Sequence, residues 1–220
     1  MKEIAALIGK DLLLELRNRY ALSGIILYVI STVFICYLSF KLKVDQLNPI
    51  TWNALFWIII LFTAINAIAK SFQQESKQRQ IYFYTIANAS SIIVAKLIYN
   101  FLLMSVLLLL GIGVYALFLG NPVQDFFQYL AASMLGAFCF ASTLTLVAGI
   151  AAKADNTASL MALLSFPIIL PSFMILMRIT KNAMDGLEWN SSSSDFVILA
   201  GINIIVIALS YILFPYLWRT

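Results

Sequence analysis

The sequence predicts an all-α integral membrane protein with six transmembrane helices and an amphipathic helix at its N-terminus. Of the 220 residues, 62% are hydrophobic and only 11% are charged, and mean hydropathy is +0.94. Soluble domains average about 45–50% apolar and about 25% charged residues. The composition therefore excludes a soluble globular enzyme, and it also excludes a disordered chain, which needs low hydrophobicity and high charge.

Six stretches without a charged residue are long enough to cross a bilayer core, which takes about 20 residues. They cover about residues 20–40, 49–69, 97–119, 126–152, 156–177 and 196–218, within a single domain of residues 1–220. A transmembrane barrel is excluded because its strands alternate apolar and polar residues. The first stretch is not expected to be a signal peptide, because it is too long and no small-residue cleavage site follows it.

Lys and Arg are unevenly distributed between the two sides of this predicted bundle. The side of the termini carries ten of the 14, namely Lys2, Lys10, Arg17, Arg19, Lys70, Lys77, Arg79, Lys96, Lys153 and Arg219. The other side carries Lys41, Lys43, Arg178 and Lys181. Cytoplasmic segments are enriched in Lys and Arg, so both termini are predicted to be cytoplasmic. The net charge of +4 then indicates a membrane surface, not nucleic acid, as the partner.

Several kinds of chemistry are excluded by what the sequence lacks. It contains no histidine, which rules out a Ser-His triad and His-ligated zinc or haem on this chain. Cys36 and Cys139 lie inside apolar stretches without CxxC spacing, so we expect buried thiols and no metal site. No charged residue lies at the centre of a predicted span, which argues against an ion-coupled transporter.

The N-terminal segment, residues 1–19, is too charged to cross a membrane. One face of a helix would carry Ile4, Ala5, Ile8, Leu12 and Leu16, and the opposite face would carry Lys2, Glu3, Lys10 and Arg17. This pattern predicts an interfacial helix on the cytoplasmic surface, with Lys10, Arg17 and Arg19 as its basic residues. The alternative is a simple basic segment that only orients the first span.

A cytoplasmic loop predicted over residues 70–96 is unusually long for a connection between two spans. It contains a polar stretch with Glu75 and Gln80, then an aromatic cluster, Tyr82, Phe83 and Tyr84, and then a turn-prone stretch with Asn88 and Ser90. Aromatic residues beside charges are typical of a membrane boundary. They are equally typical of a docking surface for a soluble partner. Both interpretations are open at this point.

Two further features concern helix packing inside the membrane. The fourth span is rich in Gly, Ala and Ser, which predicts close packing against another helix. The fifth span contains Pro167 and Pro171, which are expected to kink or break the helix near mid-membrane, either as a moving part or as passive structure. Asn66, Asn100 and Asn203 are expected to form hydrogen bonds between helices.

Three short motifs resemble one known family. They are Ile93-Val94-Ala95-Lys96 at the start of the third span, the Gly120-Asn121-Pro122 turn, and the run Leu163-Leu164-Ser165-Phe166-Pro167-Ile168-Ile169-Leu170-Pro171. Together with the layout of the whole chain, they resemble the haem exporter protein B family, CcmB, the permease-like subunit of cytochrome c maturation. The resemblance implies an ABC-2-type exporter permease fold in the bacterial inner membrane.

The resemblance also implies a set of partners. ATP hydrolysis would take place on a separate ABC ATPase subunit, which agrees with the lack of a GxxxxGK[ST] motif. The 70–96 loop would be the coupling element, with Glu75, Gln80, Tyr82, Phe83, Tyr84, Asn88 and Ser90 docking the ATPase. A second copy of the chain, a haem-handling membrane subunit, a small accessory membrane protein and a periplasmic haem chaperone would complete the complex. The complex would handle the haem, and this chain itself would bind no cofactor.

The loop departs from the family pattern in being rich in Gln, with Asn88 and Ser90 where prolines are expected. The alternative function is therefore the permease subunit of another small ABC-2-type exporter that carries a lipid, a drug or a polysaccharide. A stand-alone transporter or channel is a third class, although it predicts a charge inside the membrane. A membrane enzyme is least favoured, because the sequence has no HExxH motif and no cluster of carboxylates in a span.

Overall fold

The described residues of the chain, 2–17, 19–41, 47–73, 88–152 and 157–219 of a computed structural model, form seven α-helices and no strand. The helices are α1 (Lys2–Arg17), α2 (Arg19–Lys41), α3 (Pro49–Gln73), α4 (Ala89–Leu119), α5 (Phe126–Ala151), α6 (Thr157–Met184) and α7 (Trp189–Arg219). Helices α2 to α7 each contain a stretch long and apolar enough to cross a membrane. The predicted all-α class with six spans is thus confirmed.

Both ends of the segment predicted as a loop over residues 70–96 are helical. Helix α3 continues to Gln73 and α4 begins at Ala89, which corrects the prediction for residues 70–73 and 89–96. The sequence predicts that the second span ends before Lys70 and that the third begins after Lys96, because a charge is costly in hydrocarbon. Lys96 is tolerated inside α4 because the protein supplies its partners. Helices α6 and α7 likewise extend past their predicted spans, to Met184 and from Trp189.

Helix α5 lies at the centre of the bundle and contacts α3, α4, α6 and α7. Of the 26 residues of this helix, 18 are buried, against three of the 18 residues in the apolar stretch Ser23–Phe40 of α2. Its small residues make this possible, because a Cβ on Gly136 would lie 2.6 Å from Leu176 Cδ2 and one on Gly149 would lie 3.1 Å from Phe214 Cε2. The close packing predicted from the composition of this span is confirmed.

Of the three asparagines predicted to bond between helices, two do so. Asn100 Nδ2 on α4 donates to Thr145 Oγ1 on α5 at 2.8 Å, and Asn203 Oδ1 on α7 accepts from Ser142 Oγ on α5 at 3.1 Å. These bonds confirm the predicted interhelical role. Asn66 differs, because its side chain is exposed on α3.

Helix α6 runs without interruption through both of its prolines. The predicted break is therefore wrong, while a kink stays a prediction. Pro167 and Pro171 are both exposed, so neither ring is enclosed by other helices of this chain. Each ring removes one backbone donor. In hydrocarbon the remaining backbone groups can be satisfied only by continuing the helix, which explains why the segment stays helical.

Candidate functional site

The segment of residues 74–87 joins α3 to α4 at the end of the bundle where α1 lies. Five predicted docking residues fall in this segment and lie outside the described residues: Glu75, Gln80, Tyr82, Phe83 and Tyr84. The other two are at the start of α4, where Asn88 occupies the N-cap position and Ser90 is the second, half-buried helical residue. The structure therefore describes the two helices that precede and follow this segment in the chain.

The start of α4 is bound by a carboxylate from another helix. Asn88 N–H donates to Glu3 Oε1 at 3.0 Å, and Ser91 Oγ donates to Glu3 Oε2 at 3.2 Å. The Asn88 side chain itself makes no capping hydrogen bond. The first turn of a helix has unsatisfied N–H groups and a partial positive charge, so an acidic group is stabilising there. Glu3 of α1 thus binds the backbone N–H of the N-cap residue and a hydroxyl of the first turn, and it places a negative charge at this end of α4.

A buried ion pair connects α1 to α4 about two turns farther along. Lys96 Nζ lies 3.1 Å from Asp11 Oδ2, and the two side chains are 5% and 6% exposed. The same ammonium donates to the backbone carbonyl of Ser71 at 3.0 Å. This carbonyl lies in the last turn of α3. Lys96 therefore links α1, α3 and α4 at a single point.

A third contact lies next to this pair. Tyr99 OH donates to Glu15 Oε2 at 3.0 Å, and both residues are buried. Asp11 and Glu15 are four apart on α1, and Lys96 and Tyr99 are three apart on α4, so each pair projects from one helix face. We call the whole network the helix clasp: Glu3, Asp11 and Glu15 of α1, Ser71 of α3, and Asn88, Ser91, Lys96 and Tyr99 at or near the start of α4.

The clasp adds a feature that the interfacial-helix prediction did not contain. Among the described side chains of this helix, those of Asp11 and Glu15 are buried, whereas Leu12 and Leu13, at 40% and 69%, are exposed. The acidic side of α1 therefore faces the bundle, because α4 supplies a cation and a hydroxyl donor there. Its position on a membrane surface stays a prediction.

Two of the basic residues predicted for the interfacial helix lie on one surface of α1. Lys10 and Arg17 line the same surface cavity, together with Leu13. Lys10 is half-buried and its Nζ lies 3.3 Å from Asp11 Oδ1, so it contacts the clasp, while Arg17 is exposed at the end of α1. Arg19 belongs to the next helix, as the first residue of α2, and its side chain is outside the described set.

Sequence reasoning did not find the clasp, although two signals for it were present. Lys96 is the only charged residue between positions 88 and 119, and apolar residues flank it on both sides. The acids of α1 at positions 3, 11 and 15 fall on one side of a helix. An isolated lysine in an apolar helix needs a partner, and this acidic stripe was the candidate.

The opposite end of the bundle is held by a polar and aromatic cluster. Asn53 Nδ2 donates to Thr180 Oγ1 at 2.9 Å, and Tyr129 OH donates to Asn53 Oδ1 at 3.2 Å, so one side chain joins α3, α5 and α6. Trp52 Nε1 donates to the Gly120 carbonyl at 3.1 Å. These bonds fix the end of the bundle that lies away from the 74–87 segment.

Neither cluster has the composition of a catalytic or metal centre. Within the part of the chain that the structure describes, no group of three or more Cys, Asp or Glu residues is placed to hold a metal ion. The polar groups of the clasp bond to each other across helices α1, α3 and α4. Their role is therefore to hold these helices in position.

The sequence was compared with known proteins. A family model described as CcmB protein matches residues 2–217, which includes α1 to α6, all but the last two residues of α7, and every residue of the clasp. No curated protein and no solved structure matches the chain significantly. The family match, together with the six apolar helices of the fold, shows that this chain is a member of the CcmB protein family.

Proposed function

We propose that this CcmB-family protein is the membrane subunit of an ABC-type complex for cytochrome c maturation. It couples ATP hydrolysis on a separate ATPase subunit to haem export, or to release of a haem-loaded periplasmic chaperone. The family match supports the first part of this proposal. The lack of a phosphate-binding GxxxxGK[ST] motif supports the assignment of hydrolysis to a partner.

The helix clasp is the observation that carries the coupling role. The 74–87 segment, to which we assign docking of the ATPase, is continuous with the ends of α3 and α4. Lys96 joins those two ends to each other and to α1. A displacement of the segment by a closing ATPase therefore acts on three helices together and does not simply deform one loop.

The packing of the bundle provides a route from the clasp to the other helices. Asn100, one turn beyond Lys96 on α4, bonds to Thr145 of central helix α5. Helix α5 in turn contacts α6, which carries Pro167 and Pro171. Movement of α4 is thus transmitted through α5 to α6. The Asn53 cluster holds α3, α5 and α6 together at the far end, so this end is the pivot.

The other members of the complex follow from the family. We propose a second copy of this chain, a haem-handling membrane subunit, a small accessory membrane protein and a periplasmic haem chaperone as partners. The chain has no histidine to ligate haem, so we assign haem binding to those subunits. The excess of Lys and Arg supports an inner-membrane protein with both termini in the cytoplasm.

The test is purification of the tagged chain in a mild detergent, followed by identification of the bound proteins by mass spectrometry. We expect a P-loop ATPase together with haem-handling subunits. The variants Glu75→Gln and Tyr82→Ala/Phe83→Ala/Tyr84→Ala should reach the membrane at normal levels but lose the ATPase or the formation of haem-loaded c-type cytochromes. Ser193→Ala, an exposed position at the opposite end of the bundle, is the matched control.

Three outcomes would contradict the proposal in whole or in part. Recovery of the chain without any ATPase would indicate an independent transporter or channel. Recovery with an ATPase but without proteins of cytochrome c maturation would support another ABC-2-type exporter. If all loop variants keep both the ATPase and cytochrome maturation, the docking surface lies elsewhere.

A further inference from the structure

A groove between α2 and α3 lies at the same end of the bundle as the helix clasp. Its volume is about 380 Å³, and it is lined by Gly24 and Tyr28 of α2 and by Thr63, Asn66 and Lys70 of α3, among others. Gly24 leaves room at the wall of the groove, because a Cβ there would have no atom within 4 Å. Lys70 and Ser71 are adjacent, so the end of α3 is bound to the clasp through Ser71 and lines the groove through Lys70.

Two polar side chains of this groove, those of Lys70 and Asn66, have no partner among the described residues, whereas Thr63 Oγ1 donates to the Ile59 carbonyl. Lys70 and Asn66 are exposed and lie one helical turn apart, about 6 Å along α3. No described carboxylate lies within ion-pair distance of Lys70, and the Asn66 amide makes no hydrogen bond with a described residue. Asn66 belongs to a predicted membrane span, where an unpaired amide is costly. Within the described part of the chain, both groups are therefore available to a ligand in the groove.

We propose that this groove binds the headgroup of an anionic phospholipid. The phosphate pairs with Lys70 Nζ, the Asn66 amide donates to a headgroup oxygen, and an acyl chain continues along α2 past Gly24. A lysine ammonium binds phosphate as a point charge. Basic pockets between helices on the cytoplasmic side are typical binding sites for anionic headgroups, and this end of the bundle is the one predicted to be cytoplasmic.

A second copy of the chain is a poorer occupant on grounds of charge. At this end of the bundle, the described carboxylates are those of Glu3, Asp11 and Glu15, and all three are engaged in the clasp. The remaining described carboxylates lie at the opposite end of the bundle: Asp125, Asp185, Glu188 and Asp195. A parallel copy in the same membrane would therefore bring no unengaged described carboxylate to Lys70.

Native mass spectrometry of the purified chain, titrated with phosphatidylglycerol or phosphatidylcholine, tests the proposal. We expect the wild type to bind one phosphatidylglycerol in preference to phosphatidylcholine. Lys70→Gln should raise the Kd for phosphatidylglycerol about fivefold, the effect of one lysine near an anionic surface. Asn66→Leu should also weaken binding, and Lys70→Arg should retain it. Lys181→Gln, which removes an exposed lysine at the opposite end, is the control.

Equal affinity for the two lipids, or unchanged affinity in Lys70→Gln, would overturn the proposal. Competition experiments distinguish a lipid headgroup from other anions that could occupy the groove. Displacement of the lipid by inorganic phosphate would indicate a site for a free anion, and displacement by low concentrations of haem would indicate a site for haem propionates. None of these measurements requires ATP or the partner ATPase, so their failure would leave the proposed transporter role intact.

Discussion

Lys96 and Asp11 form an ion pair that is more than nine-tenths buried, with 3.1 Å between Nζ and Oδ2. The pair joins the start of a membrane-spanning helix to the N-terminal helix of the chain. Two charges removed from water are stable only while they are paired, since burying either charge alone costs several kcal/mol of desolvation free energy. The two residues therefore act as one unit, and this unit makes α1 part of the bundle.

Replacement of either member of the pair should destabilise the protein strongly. Lys96→Met leaves Asp11 buried with only Lys10 near it, and should cost about 3–5 kcal/mol, the usual cost of breaking a buried pair. The measurement is thermal unfolding of the purified protein in detergent. The double variant Asp11→Leu/Lys96→Met should be more stable than Lys96→Met alone. Lys181→Met is the control, and a similar loss in that variant would contradict the buried pair.

Glu3 should stabilise α4 locally, because its carboxylate binds the start of that helix. Glu3→Ala removes a capping interaction worth about 1 kcal/mol. Amide hydrogen exchange of residues 88–92 should become faster, while exchange in α5 should not change. Lys2→Ala removes a neighbouring charge that makes no such contact, so exchange there should stay at the wild-type rate. Equal effects of the two variants would mean that the contact is not formed.

Gly136 should tolerate no side chain, because Leu176 fills the space beside it. A Cβ at this position would lie 2.6 Å from Leu176 Cδ2 and 3.0 Å from Trp57 Cη2. Gly136→Ala should therefore lower stability by about 1–3 kcal/mol, as overpacked cores do. Gly113→Ala is the matched control, since a Cβ there would have nothing within 4 Å. Adding Leu176→Ala to Gly136→Ala should recover part of the loss if the clash is the cause.

Pro167 and Pro171 should affect the transport cycle more than assembly. Both are exposed, so replacement by Ala removes little packing, and it restores two backbone donors that stiffen α6. Pro167→Ala/Pro171→Ala should reach the membrane at wild-type levels but support less haem attachment to c-type cytochromes. Haem-stained cytochromes are the measurement, with immunoblots for the chain. Full activity would show that the prolines are passive.

The spans could be predicted from the sequence, whereas the helix ends next to the 74–87 segment could not. Apolar runs define a membrane helix because a bilayer leaves the backbone no other way to satisfy its hydrogen bonds. Whether such a helix continues past a lysine depends on a partner from elsewhere in the chain. For Lys96 that partner is Asp11, on a different helix, and no local pattern around residue 96 contains this information.

Only part of the candidate site could likewise be predicted from the sequence. The aromatic and polar composition of residues 74–87 pointed to a docking segment, and that role stays a prediction. The frame around the segment was missed, because an amphipathic pattern was assigned to α1 by its apolar residues. Its acids at positions 11 and 15 are the buried ones. A helical wheel gives the angle of each residue, but the side that faces protein depends on what the neighbouring helix offers.

The central position of α5 has a consequence for biogenesis. This helix is the fourth span, so α3 and α4 enter the membrane before the helix that covers their inner faces has been synthesised. Until then Asn53 and Asn100 lack Tyr129 and Thr145, and two polar amides are left in the bilayer without these partners. The half-made chain is therefore the stage most dependent on the insertion machinery, and a ribosome stalled before residue 126 would leave a product that cannot close its own core.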